Sequence, residues 1–255
     1  MAVHMSKRIL SVIVSLALLV SVLPLAAQQQ YSTQGTPAVQ PATPAAAPVV
    51  ILFIAPITGD TIPRLMSLVT AQVTKGTTNI TIAVSSGGGD TGAAFGAYNA
   101  LKALQTQNPH LTITTVNIGS VASAAVLLFC GGKERYSLPN ANFLIHGNGF
   151  DVPPGTRLEA TTLQNSLSFV NSMNDQTIRI IANTTKKNKA EIEAAVSNQT
   201  ILTPQQAKEW NLIQDIKPDF APATATVLTV SVQSPEEPRP PLQITSITET
   251  KSTSK

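Results

Sequence analysis

The stretch NITIAVSSGGGDTGAAFGAYNALKAL, residues 79–104, decides the fold. Residues 79–84 are apolar and rich in β-branched side chains, and read as a strand. Residues 85–89 follow as a tight loop, where consecutive glycines allow backbone angles closed to other residues. Asp90 then caps a helix to Leu104, because a carboxylate there can accept an early helical N–H. The same grammar recurs outward. Upstream, residues 49–54 form a strand that Pro56 ends. Asp60 and Thr61 cap a helix with Ile62, Leu65, Val69 and Val73 on its apolar face and Gly76 as its stop. Downstream come a strand at 111–117, a small-residue passage at 119–123, and a short apolar helix at 124–130 halted by Gly131 and Gly132. Two short strands, 135–138 and 142–146, precede a long helical stretch at 157–185. Asn188 with Glu191 and Thr203 with Gln206 open two more helices. Strands alternating with helices give an α/β fold built from βα units.

Composition narrows the function classes. Of 255 residues, 43% are apolar and only 12% charged, so the chain has enough apolar material for a core and is not a disordered protein. Cys130 is the single cysteine, which excludes a disulfide framework and a cysteine zinc site. The net charge of +3 owes two positives to Lys7 and Arg8. What remains is near neutral and carries no nucleic-acid footprint.

Lys7 and Arg8 precede an apolar run at residues 9–27, the form of a secretory signal with cleavage after Ala27. Export to a periplasm or beyond the cell is expected. The alternative is an anchor formed by residues 9–27, long enough to nearly span a bilayer. Residues 28–48 are uncharged Pro, Ala, Gln and Thr and read as a linker. Residues 49–218 form the folded domain. Residues 219–255, with their proline cluster, read as a mostly disordered tail that holds one short strand at 226–232.

Three constellations could carry chemistry. Residues 87–92 formally match G-x-G-x-x-G, but no Asp or Glu falls between Asp90 and Glu134 to bind a ribose. That argues against a dinucleotide, and no cofactor is expected. The glycines serve either as a plain turn or as amide donors to an oxyanion. Ser123 lies among small residues at a strand-to-helix junction, which suits a helix cap or an exposed nucleophile. Beyond the first 27 residues only two histidines occur. His110 follows a proline in a polar loop and reads as solvated. His146 ends a strand beside a glycine loop, a position fit for structure or for general-base work. No spacing suggests a metal site.

Taken in order, the 85–88 loop, Gly119-x-x-Ala122-Ser123, Leu138-Pro139-Asn140, Ile145-His146 and Ile201-Leu202-Thr203-x-x-x-Ala207 resemble the proteolytic subunit of the Clp protease family, over residues 49–217. The resemblance implies a crotonase-like superhelix of repeated ββα units, serine endopeptidase activity on peptides or unfolded protein, and a homo-oligomeric ring. It puts Ser123 at the nucleophile and His146 at the general base. Gly88 and Ala124 fall at the backbone donors of the oxyanion hole. The family acid falls at Gln199, preceded by Asn198, and neither is acidic. Ser86 stands where the family has proline, and Gly147-Asn148 follows the histidine instead of Gln-Pro. Asp151 and Asp175 are other carboxylates that could supply the missing charge. The linker has no likeness to segments that meet an ATP-driven unfoldase, so no such partner is expected. Two other functions compete. One is a catalytically weak or inactive assembly or binding subunit on the same fold. The other is a Ser-Lys peptidase, which would need Lys133 or Lys102 beside Ser123.

Overall fold

The computed structural model describes residues 48–230. The expected signal at 1–27, nearly all of the expected linker and the tail beyond Val230 lie outside the described residues. The elements are β1 (Val49–Ile54), α1 (Thr61–Thr74), β2 (Asn79–Ser86), α2 (Thr91–Gln107), β3 (Thr112–Ala122), α3 (Ala124–Cys130), β4 (Glu134–Ser137), β5 (Asn142–Ile145), α4 (Ala160–Thr185), α5 (Lys189–Ser197), β6 (Thr200–Leu202), α6 (Pro204–Glu209), β7 (Asp215–Ile216) and β8 (Thr226–Thr229). The strands join in one mixed sheet, ordered β6-β5-β3-β2-β1-β8, with β4 bridging β3 and β7. Every pairing is parallel except β5 with β6. This is the expected α/β architecture.

β3 organises the site. Its first half pairs with β4, from Thr114↔Glu134 to Asn117↔Ser137. Its second half pairs with β5, from Ser120↔Asn142 to Ala122↔Leu144. Between them its register against β2 shifts, from Val84↔Asn117 to Ser86↔Val121. Such an irregularity bends a strand and lets it change partners. The strand expected to end at Asn117 runs on through Gly119 and Ser120, which are poor strand formers, to Ala122. Pairing with β2 and β5 overrides that local preference.

α3 is the innermost helix. All seven of its residues are buried, and Phe129 packs edge-on against Phe143 of β5 with ring centroids 5.1 Å apart. Phe53, Ile82, Leu65 and Leu101 complete a continuous core with it. Each such side chain contributes roughly 1.5–3 kcal/mol by leaving water.

Other boundaries also differ from expectation: β2 runs on to Ser86, into the expected glycine loop, and α2 to Gln107. Asp60 does not cap α1 with its side chain; it pairs with Arg64 at 3.0 Å. Thr58 takes over, its Oγ1 accepting the Thr61 N–H at 3.1 Å. α4 begins at Ala160, three residues later than Arg157. The late strand is shorter, Thr226–Thr229, and pairs with Val49–Leu52 at the sheet edge.

Candidate active site

Ser123 sits where β3 gives way to α3, with φ 56 and ψ −129. A positive φ is strained for a residue with a Cβ, and a surrounding lattice of bonds must hold it. Here the Ser123 N–H donates to the Leu144 carbonyl at 2.8 Å, and its own carbonyl accepts the Val126 N–H at 3.0 Å. The sharp turn leaves Ser123 half-exposed at the head of a buried helix. Ala124 is the first residue of α3, so its N–H has no partner within the helix.

Gly88 lies against this turn. A Cβ at Gly88 would stand 2.6 Å from the Ser123 Cβ and 3.1 Å from the Ala124 nitrogen, and its φ is +95. Only glycine allows both the backbone angle and the approach. Its loop is pinned from behind. The Ile57 N–H donates to the Gly88 carbonyl at 2.8 Å, and the Asp90 N–H to the Ile57 carbonyl at 2.9 Å. The Gly88 N–H donates to Ser86 Oγ at 3.2 Å. Gly88 and Ala124 therefore flank Ser123 as backbone donors, and in this structure one of the two is engaged by Ser86.

His146 follows directly on β5. Because Ala122 pairs with Leu144, Ser123 and His146 emerge from the ends of neighbouring strands. The His146 Nδ1 lies 2.7 Å from the Gly147 carbonyl. A carbonyl only accepts, so Nδ1 is the donor of this bond, and in the neutral ring the lone pair then lies on Nε2. That is the tautomer a general base requires.

Gln199 reaches the same place from the other side. β5 and β6 run antiparallel with Ile145 opposite Thr200, so His146 and Gln199 lie just past the paired ends of the two strands. Gln199 has φ 50 and is exposed. Among the described residues no hydrogen bond joins its amide to the ring. Sequence spacing and sheet register thus bring Ser123, His146, Gln199, Gly88 and Ala124 to one end of the sheet.

The other candidates stand elsewhere or are occupied. Asp175 on α4 pairs with Lys189 at 3.4 Å. Asp151 is exposed in the loop after His146. Lys133 follows α3, at the opposite end from Ser123, a separation of roughly 10 Å for a seven-residue helix. Lys102 belongs to the later part of α2, where burial lowers the pKa of its ammonium, with the nearby Arg135 charge acting the same way. Neither supports a Ser-Lys site. His110 is exposed beyond the C-terminal end of α2. Burial raises the pKa of the Cys130 thiol, which keeps it protonated inside the core. Among the described residues no three His, Cys, Asp or Glu side chains gather as a metal would need. None of the described helices is long and apolar enough to cross a membrane.

The sequence did not disclose the network behind His146. Asn148 is bonded to Thr91 at the start of α2 and to Asn174 and Thr177 on α4. Its one signal in the sequence was the Gly147-Asn148 pair itself.

Comparison with known proteins agrees with the fold. The Clp protease family model matches residues 45–219. The proteolytic subunit 1 of the ATP-dependent Clp protease of Thermobifida fusca is 29% identical over 142 residues, covering 55% of this chain and 60% of the relative. The chloroplastic proteolytic subunit 3 of Arabidopsis thaliana is 29% identical over 147 residues, covering 56% of this chain and 44% of the relative. The chain thus spans about half the length of the curated relatives it matches. A solved ClpP1 mutant from Listeria monocytogenes superposes with a TM-score of 0.57 at 19% identity, over 67% of this chain and 91% of that one, a likeness of fold. With the family model covering well over half its residues, the chain belongs to the Clp protease family.

Proposed function

We propose that the chain is a serine endopeptidase that hydrolyses peptides or unfolded protein. Ser123 Oγ attacks the scissile carbonyl while His146 Nε2 takes its proton. The developing oxyanion is met by the Gly88 and Ala124 N–H groups, the first of which must turn from Ser86 Oγ to do so. His146 then gives its proton to the leaving amine, and water repeats the sequence on the acyl-enzyme. Gln199 flanks the ring as the third group. The Nδ1–H of the ring is held by the Gly147 carbonyl, and a neutral amide nearby stabilises imidazolium weakly, so turnover is slow.

The observation that carries this reading is the Ser123 backbone: a non-glycine residue held at φ 56, wedged against Gly88, at the strand end beside His146. Strain of this kind concentrates at functional sites. Two further parts of the proposal have their own support. A homo-oligomeric ring is supported by exposed Leu163, Leu167 and Phe169 along α4, apolar side chains that a lone subunit leaves in water. Export, without an unfoldase partner, is supported by the Lys7-Arg8 and 9–27 pattern, with membrane anchoring as its variant.

Hydrolysis of short fluorogenic peptides tests the reading. Ser123→Ala should abolish turnover. Full activity in Ser123→Ala would reject the assignment, and an inert wild-type assembly would favour the inactive binding subunit.

A further inference from the structure

We propose that Asn174, acting through Asn148, is a positioning residue for His146; the inference rests on the peptidase reading above. The peptide unit between Gly147 and Asn148 is bonded at both ends. Its carbonyl accepts the His146 Nδ1–H at 2.7 Å. Its N–H donates to Asn174 Oδ1 at 2.7 Å. In a trans peptide the N–H and C=O point in opposite directions. Fixing the N–H on α4 therefore aims the carbonyl at the ring.

The bonds form a chain from Asn174 Oδ1 through the 147–148 peptide to the imidazole. Hydrogen bonds in such a chain polarise one another, so the acceptor on α4 strengthens the carbonyl that holds Nδ1–H. Asn148 locks the arrangement with its side chain. Its Nδ2 donates to the same Asn174 Oδ1 at 2.9 Å and to Thr177 Oγ1 at 3.3 Å. Its Oδ1 accepts the Thr91 hydroxyl at 2.6 Å. Thr91 follows Gly88, Gly89 and Asp90 directly, so the same asparagine ties the oxyanion loop to the histidine loop. Gly147 lies beneath, with Asn174 Oδ1 and Val196 Cγ1 each 3.6 Å from where a Cβ would sit.

The role makes a chemical distinction. Asn174 serves only as an acceptor, and twice through one oxygen. Asn174→Asp keeps that oxygen and adds charge to the relay. Asn174→Leu keeps the volume and removes the acceptor. Steady-state kinetics on the full chain, with NMR of the His146 Nδ1–H, separate them. The expected result for Asn174→Leu is a kcat about 10–100-fold lower with KM little changed, as small misplacements of a reacting group produce. Its Nδ1–H resonance should broaden into exchange with water. Asn174→Asp should retain kcat and the resonance. Thr91→Val, which trims one bond at a half-buried helix start, should show the same loss in milder form and serves if Asn174→Leu does not fold.

Unchanged kcat and an unchanged resonance in both Asn174→Leu and Thr91→Val would overturn the inference. So would equal inactivation by Asn174→Asp and Asn174→Leu. Ser123→Ala in the same assay keeps the two failures apart. Hydrolysis surviving Ser123→Ala defeats the peptidase reading, whereas the Nδ1–H resonance reports the clamp whether or not peptides are cleaved.

Discussion

At Ser123 a single dihedral angle separates a helix cap from a nucleophile. A capping serine takes an extended backbone and bonds its own helix through Oγ. Ser123 has φ 56 and makes no such side-chain bond. Sequence alone left both roles open, because φ is set by the Leu144 carbonyl, which lies 21 residues away in the chain and next to Ser123 in the sheet. The family resemblance alone pointed to Gln199, which lies just before β6, the strand paired with β5. The Gln199 φ of 50 is one that aspartate tolerates better than most residues. Gln199→Asp should therefore fold and supply the missing charge, raising kcat for short peptides at least about tenfold, since loss of that charge and of the correct tautomer costs a serine protease up to about 10⁴. An unchanged rate in Gln199→Asp, with Asp151→Asn or Asp175→Asn abolishing activity, would move the charge to another carboxylate. Asn174 was not legible at all: it is 26 residues from Asn148, and nothing in a polar helix marks one asparagine as a partner.

Among the elements, β3 and α3 do most to place the site, and both depend on Arg135. Arg135 is 9% exposed and has no carboxylate partner among the described residues. Its Nε donates to the Leu212 carbonyl at 2.8 Å, and its terminal nitrogens to Gly132 at 3.2 Å and Asn211 at 3.4 Å. Burial lowers its pKa, yet the group stays charged, as guanidinium does in proteins. It thereby joins the loop after α3 to the loop after α6. Arg135→Ala would strand buried carbonyls at about 1–3 kcal/mol each, so chemical denaturation should show a loss of about 2–5 kcal/mol. Arg135→Lys should recover little of it, because an ammonium cannot fork to carbonyls on both loops. A denaturation midpoint unmoved in Arg135→Ala would show the clamp to be dispensable. Element types were readable from apolar periodicity and caps. Element ends were less so where a distant partner decides them: β3 outruns its weak strand formers because β5 pairs with it, and Thr58 replaces Asp60 as the cap because Arg64 takes the carboxylate.

For the whole molecule, the order of the sheet converts linear motifs into a site. The glycine loop, Ser123, His146 and Gln199 stand at the ends of β2, β3, β5 and β6, which the chain visits in that order and the sheet sets close together. That convergence was foreseeable only through the family resemblance; βα grammar gives the units and not their arrangement. The exposed apolar residues on α4, with Phe150 and Val152 in the loop before it, are the surface on which the proposed ring assembly rests. The most direct measurement of the central claim is labelling of the full chain with a fluorophosphonate, mapped by mass spectrometry. The expected result is one adduct, on Ser123, absent in Ser123→Ala and strongly reduced in His146→Ala. A full chain that takes no label at Ser123, or that labels equally in Ser123→Ala, would contradict it.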